Sequence, residues 1–144
     1  MIFFYLTVGL FLVNGVAVVR WDKSFLRYLM GCFAALFFVV AIASIIAFIS
    51  LYFYEIPTHH CPFCILHGGY HFIGYPLYIC LFSGVLLGLL VGIFEPLKKI
   101  ASLTEVIGKA QRKWAIISMA LIAIFTLICS WPIVFSSFTM AEYF

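Results

Sequence analysis

The chain has 144 residues, 67% of them hydrophobic and only 9% charged, against about 25% charged in an ordinary soluble domain. Eight Lys/Arg and five Asp/Glu side chains cannot coat a globule of this size, so the composition excludes a soluble fold and indicates a membrane protein. The length fits one membrane domain over residues 1–144, and a net charge of +3 is too small a surplus to argue for nucleic acid.

Four apolar stretches follow in chain order, at about 2–19, 31–54, 75–94 and 114–138. Each runs about 18 to 25 residues without a charge, enough at 1.5 Å per residue to cross a hydrocarbon core of about 30 Å. Barrel strands would be about half as long and would alternate in polarity. The expected fold is therefore all-α, a polytopic bundle of four transmembrane helices. In the first stretch the positive charge follows the apolar run and no small-residue cleavage site is evident, so it reads as a retained helix and not as a signal peptide. Asn14 within it reads as an interhelical hydrogen bonder.

All Lys and Arg residues fall in two segments: Arg20, Lys23 and Arg27, then Lys98, Lys99, Lys109, Arg112 and Lys113. Two crossings separate the segments, so they share one side of the membrane, read as cytoplasmic. Both termini and the segment between the second and third stretches are then extracytoplasmic, which for a bacterial inner membrane means the periplasmic side. Trp21 and Trp114 at the inner ends and Trp131 at the outer end are placed as interfacial anchors. Gly84, Gly88 and Gly92 recur every fourth residue and predict a face of close helix packing. The inner basic loop 95–113 has Leu97, Ile100, Thr104 and Ile107 at helical spacing, with Ser102 and Glu105 spaced as a capping box; it reads as a short helix on the membrane surface.

The chemistry lies in the outer segment 55–74, which holds all four histidines, His59, His60, His67 and His71, and the closely spaced pair Cys61 and Cys64. A merely solubilising loop needs Lys, Glu, Ser or Asn; this one carries side chains that bind metals or exchange electrons. Two residues between cysteines bring the sulfurs near enough to close a disulfide, and Pro62 suits a first helical position because it has no amide hydrogen to lose. The third helix is thus expected to begin near Cys61, with an interruption at Gly68 and Gly69. That start leaves Cys61 the more accessible sulfur and turns Cys64 toward the bundle.

Cys61-Pro62-Phe63-Cys64-Ile65, at the outer end of an inward-going helix, resembles the first cysteine motif of the DsbB-type disulfide-generating membrane oxidoreductases. The vitamin K epoxide reductases share the general design. The resemblance implies a four-helix bundle that takes electrons from an exported thiol protein and passes them to a membrane quinone, with Cys64 nearest the quinone. His67, Tyr70 and His71 then become candidates for quinone contact, and His67 or His71 for proton management. The sequence departs from the family in two places. His67 and Gly68 stand where the family usually places an arginine, and the second cysteine pair that receives electrons is missing. If the last three stretches match the family's first three helices, the first is additional, and the donor approaches Cys61 directly or is another membrane subunit. Cys129, near the outer end of the fourth stretch, is either a third thiol or a small apolar filler, and Cys32 and Cys80 read as packing residues.

A metal site competes with this reading. Cys61, Cys64 and His67 follow C-x-x-C-x-x-H spacing, and His71 is one helical turn beyond His67; two thiolates with imidazoles suit zinc or Cu(I). The protein would then be an accessory subunit of a transporter or respiratory complex. A haem held by His67 or His71 would lack a second histidine on a neighbouring helix. Inert thiols or a structural bridge complete the alternatives. Tyr70, Tyr75 and Tyr78 read as interface-belt residues, with cofactor contact as the sharper alternative.

Overall fold

A computed structural model of the chain describes residues 1–55, 61–70, 72–100 and 102–135. Within them lie four long helices: α1 (Ile2–Arg20), α2 (Ser24–Tyr54), α3 (Gly74–Ile93) and α4 (Thr104–Phe135). All four are long and apolar enough to cross a membrane. The protein is an all-α, polytopic helical membrane protein. The helices form a ring in which α1 packs on α2, α2 on α3, α3 on α4, and α4 back on α1.

Two helices exceed the apolar stretches that announce them. α2 starts at Ser24 and α4 at Thr104, because the turns outside the hydrocarbon are polar without ceasing to favour helix. This corrects the expected inner surface helix. Residues 104–113 are the first turns of α4 itself, with Ile107, Gln111 and Ala115 buried at four-residue steps. Only a short 3-10 turn, Glu95–Lys99, precedes them. The third span lies where expected, but the expected start of its helix near Cys61 is corrected: α3 begins at Gly74, and Cys64–Leu66 and Gly68–Tyr70 form separate 3-10 turns outside it.

Lipid tails are as apolar as leucine, so helix association in a bilayer rests on shape and on internal hydrogen bonds. The predicted glycine face supplies the shape. A Cβ at Gly92 would lie 3.2 Å from the Arg27 carbonyl oxygen and the Gly31 Cα on α2, and one at Gly84 would lie 3.0 Å from Ile122 on α4. At Gly88 three helices converge on α3: a Cβ would meet Ala34 at 3.0 Å, Ser118 at 3.2 Å and Phe11 at 3.3 Å. Beside this seam Phe4, Phe11, Phe37 and Phe125 are fully buried, and the Phe37 and Phe125 rings meet edge to face at 5.9 Å. Asn14 bonds between helices as expected, its Nδ2 donating to the Leu26 carbonyl at 3.1 Å. Ser118 Oγ donates to the Gly84 carbonyl at 2.6 Å.

At the basic end a buried polar cluster joins three elements. Arg27 Nη1 lies 3.2 Å from both Glu95 carboxylate oxygens, and Gln111 Nε2 donates to Glu95 at 3.0 Å and to the Val91 carbonyl at 2.8 Å. Arg27 also pairs with Asp22. The basic residues therefore do more than orient the chain: Arg27, counted in sequence as a loop charge, is a buried helix residue. Burial pushes the Glu95 carboxyl upward, but hydrogen bonds from Ser24 and Gln111 and the charges of Arg27 and Lys98 outweigh it and hold the group below its ordinary range.

Gly88→Leu is expected to lower stability in detergent by about 1–3 kcal/mol through overpacking at the convergence point, read by thermal or denaturant unfolding. Glu95→Ala, which removes the buried partner of Arg27 and leaves it only the exposed Asp22, is expected to cost about 3 kcal/mol in the same assay. Because the Glu95 carboxyl is depressed on folding, its stabilisation is complete above the unfolded value of about 4.3 and drains as pH falls through the folded value. The variant should lose that acid-sensitive component.

Candidate functional site

The end of the bundle opposite the basic cluster carries the cysteine pair. Glu55, in the left-handed region at φ 54°, ends α2, its N–H donating to the Leu51 carbonyl at 2.8 Å. At Cys61 two tyrosine hydroxyls take hold of the backbone. Tyr54 at the end of α2 donates to the Cys61 carbonyl, and Tyr78 on α3 donates to the Pro62 carbonyl at 2.7 Å. The chain then turns, with the Phe63 carbonyl accepting the Leu66 N–H and the Cys64 carbonyl the His67 N–H, each at 3.0 Å. Ile65 is fully buried under this turn. Gly74 lets the turn rest directly on the start of α3, because a Cβ there would stand 2.9 Å from the Ile65 carbonyl carbon and from Leu66 Cδ2.

This anchoring sets two thiols side by side with opposite character. The Cys61 thiol is lowered below its ordinary value, first by the hydrogen bond from Cys64 and then by the backbone N–H groups of Phe63 and Cys64. The Cys64 thiol is raised, first because its proton serves that hydrogen bond, then by burial and by the neighbouring Cys61 charge. One proton is thus shared within the pair, and the nucleophilic member is Cys61. Both are half-buried free thiols.

Next to the pair, between α2 and α3, lies an apolar cavity of about 480 Å³. Pro62 and Phe63, the two residues between the cysteines, form one side. Ile42, Ile45 and Ile46 of α2 form another, and Tyr75, Tyr78 and Phe82 of α3 a third. Ile45 and Ile46 belong to a π-helical turn, Ile45–Ile49, inside α2; such turns are frequent at functional sites. Ile46, Ile79 and Phe82 are 42%, 61% and 53% exposed on the lateral surface of their helices, so the cavity opens toward the lipid.

The other candidates are placed less uniformly. His67 is exposed, and its Nδ1 accepts the Gly69 N–H at 3.4 Å. Tyr70 lies in the following 3-10 turn, and His59, His60 and His71 lie outside the described residues. Among the described residues no three His, Cys, Asp or Glu side chains gather as a metal-ligand set. Cys129 and Cys80 are buried in the core, and Cys32 is exposed on α2. Tyr75 and Tyr78 line the cavity. Tyr54 and Gly74 are missed by sequence reasoning, since nothing in a local pattern marks a tyrosine as a backbone clamp or a glycine as a seat for a turn.

Comparison of the chain with protein-family models, with curated proteins and with solved structures finds no match. The site therefore has to be read from its own chemistry.

Alkylation of the reduced protein should separate the two thiols. Rate against pH is expected to rise for Cys61 with a midpoint below that of an ordinary thiol, about 8.5, and for Cys64 with a midpoint above it. Mass spectrometry of the modified peptides checks the order.

Proposed function

We propose that this protein is a membrane thiol-disulfide oxidoreductase that oxidises an exported dithiol at Cys61–Cys64 and delivers the electrons to a membrane quinone. The observation that carries the reading is the juxtaposition of an asymmetric C-x-x-C pair with an apolar cavity open to lipid. The reading agrees with the resemblance of Cys61-Pro62-Phe63-Cys64-Ile65 to the DsbB-type motif. In it, the cysteine end faces the periplasm of an inner membrane and the basic end faces the cytoplasm.

The working cycle begins with a Cys61–Cys64 disulfide. A thiolate of the exported protein attacks Cys61 Sγ, the Cys61–Cys64 bond breaks as the mixed disulfide forms, and Cys64 leaves and takes a proton. The exported protein's second thiolate then attacks its own sulfur in the mixed disulfide and releases Cys61. The low proton affinity of Cys61 makes it a good leaving group. The net result is one disulfide formed in the exported protein and one opened here, with two electrons and one proton now held by the pair as the Cys61 thiolate and the Cys64 thiol, and the dithiol's other proton given up to water.

The residues fit a quinone: the cavity is carbon-lined, lies within the usual range of ligand pockets of about 300–1,000 Å³, and is reached from the bilayer in which quinones dissolve. A quinone bound there supplies an acceptor for two electrons and two protons. Pro62 and Phe63, which separate the two cysteines in the chain, line the cavity, and Tyr54 and Tyr78 hold the Cys61 and Pro62 carbonyls beside it. In this reading His67 and His71 carry protons between the loop and water.

Purified protein mixed with a soluble dithiol and a short-chain quinone is expected to reduce the quinone. Cys61→Ser and Cys64→Ser should each lower the rate by about a hundredfold or more, since the two act as a unit. Unchanged rates in Cys61→Ser overturn the proposal, as does stoichiometric zinc or copper that disappears in both variants.

A further inference from the structure

The basic end of the bundle holds a second cavity, of about 610 Å³, on the opposite side of the membrane from the cysteines. It lies between the inner end of α1, the turn after it, Lys98 and the first turns of α4. Five cations line it, Arg20, Arg27, Lys98, Lys109 and Arg112, against two carboxylates, Asp22 and Glu105. The carboxylates are already engaged. Asp22 is held by Arg27 and lies 3.7 Å from Lys98 Nζ, and Glu105 lies 2.7 Å from Lys109 Nζ. Arg20 and Arg112 form no ion pair among the described residues, yet both face the cavity.

Depth fixes what such a site meets. Arg20 is the last residue of α1, directly after its apolar run, and Trp21 beside it is 61% exposed, as an interfacial anchor is. The cavity is therefore level with the lipid phosphates. Val18 and Val19 line it toward the hydrocarbon side, a surface suited to the glycerol and first methylenes of a lipid. Gly108 leaves room for Lys98, whose Nζ would stand 3.5 Å from a Cβ at that position. Two unpaired guanidinium forks match phosphate oxygens in bidentate geometry.

We infer that this cleft binds the phosphate head group of an anionic phospholipid, with Arg20 and Arg112 as the phosphate-binding residues. The site is independent of the redox proposal, because it shares no residue with the cysteine turn or its cavity.

Native mass spectrometry of the full chain, released from detergent with added phosphatidylglycerol or phosphatidylcholine, tests it. The wild type should retain phosphatidylglycerol over phosphatidylcholine. Arg20→Gln/Arg112→Gln should weaken that retention roughly 30-fold, or about 2 kcal/mol, for the loss of two head-group cations. Lys23→Gln/Lys113→Gln removes the same charge from exposed positions that do not line the cleft and should leave retention near wild type. Both variants alter exposed side chains, and equal melting temperatures confirm that each remains folded. Equal loss in the two variants, equal retention of the two lipids, or displacement of phosphatidylglycerol by millimolar inorganic phosphate overturns the assignment; the last outcome would identify a free phosphate site.

Discussion

Close approach of α3 to its neighbours is the constraint on which the rest of this protein depends. In water, apolar helices are driven together whatever their surface detail; in lipid they gain from contact only where they fit better than the tails they displace. Gly84, Gly88 and Gly92 give α3 a face on which α2 and α4 come within backbone contact. Once α3 is seated, Gly74 at its cysteine end becomes a fixed platform, and the Cys64–Leu66 turn rests on it. Tyr78, on the same helix, then has its hydroxyl at the Pro62 carbonyl. The position of the cysteine pair is thus inherited from a packing seam that runs down the membrane below it.

The two ends of the bundle solve the problem of polar groups in opposite ways. At the basic end, Arg27 and Glu95 are buried and answered by each other and by Gln111 and Ser24, a charged network whose members are mutually satisfied apart from the Gln111 oxygen. Such a network fixes the register of α2, the 95–99 turn and α4 relative to one another. At the cysteine end no described ion pair is present, and the backbone carbonyls of Cys61 and Pro62 are met by neutral hydroxyls from α2 and α3. The Cys61 thiol is lowered first by its hydrogen bond from Cys64 and then by the amide groups of Phe63 and Cys64, against a smaller opposing effect of burial.

Most of the fold was legible in the sequence because hydrophobic length is a direct measure of membrane span. Four uninterrupted stretches gave four helices, the glycine spacing gave their packing face, and Asn14 gave an interhelical bond. The boundaries were less legible. Composition marks where the hydrocarbon ends, not where the helix ends, so the polar first turns of α2 and α4 were read as loop and the buried role of Arg27 was hidden. At the site, the C-x-x-C spacing announced the sulfurs, and Tyr75 and Tyr78 were at hand as cofactor contacts. The cavity itself has no local signature. It arises from residues of α2 and α3 that are 29 to 40 positions apart in the chain, two of them in a π turn that no apolar pattern distinguishes from ordinary helix.

The proton arrangement bears on how the sulfurs are used. Here the donors converge on Cys61, while Cys64 is pushed the other way by its own hydrogen bond, by burial and by the Cys61 charge. Such a pair is suited to sequential chemistry, in which one sulfur departs readily from a mixed disulfide and the other keeps its proton until electrons move on. In the proposed cycle the apolar cavity, with carbon walls from Ile42, Ile45 and Phe82, is the place for an uncharged electron acceptor, since a charged one would lose its hydration there without a partner.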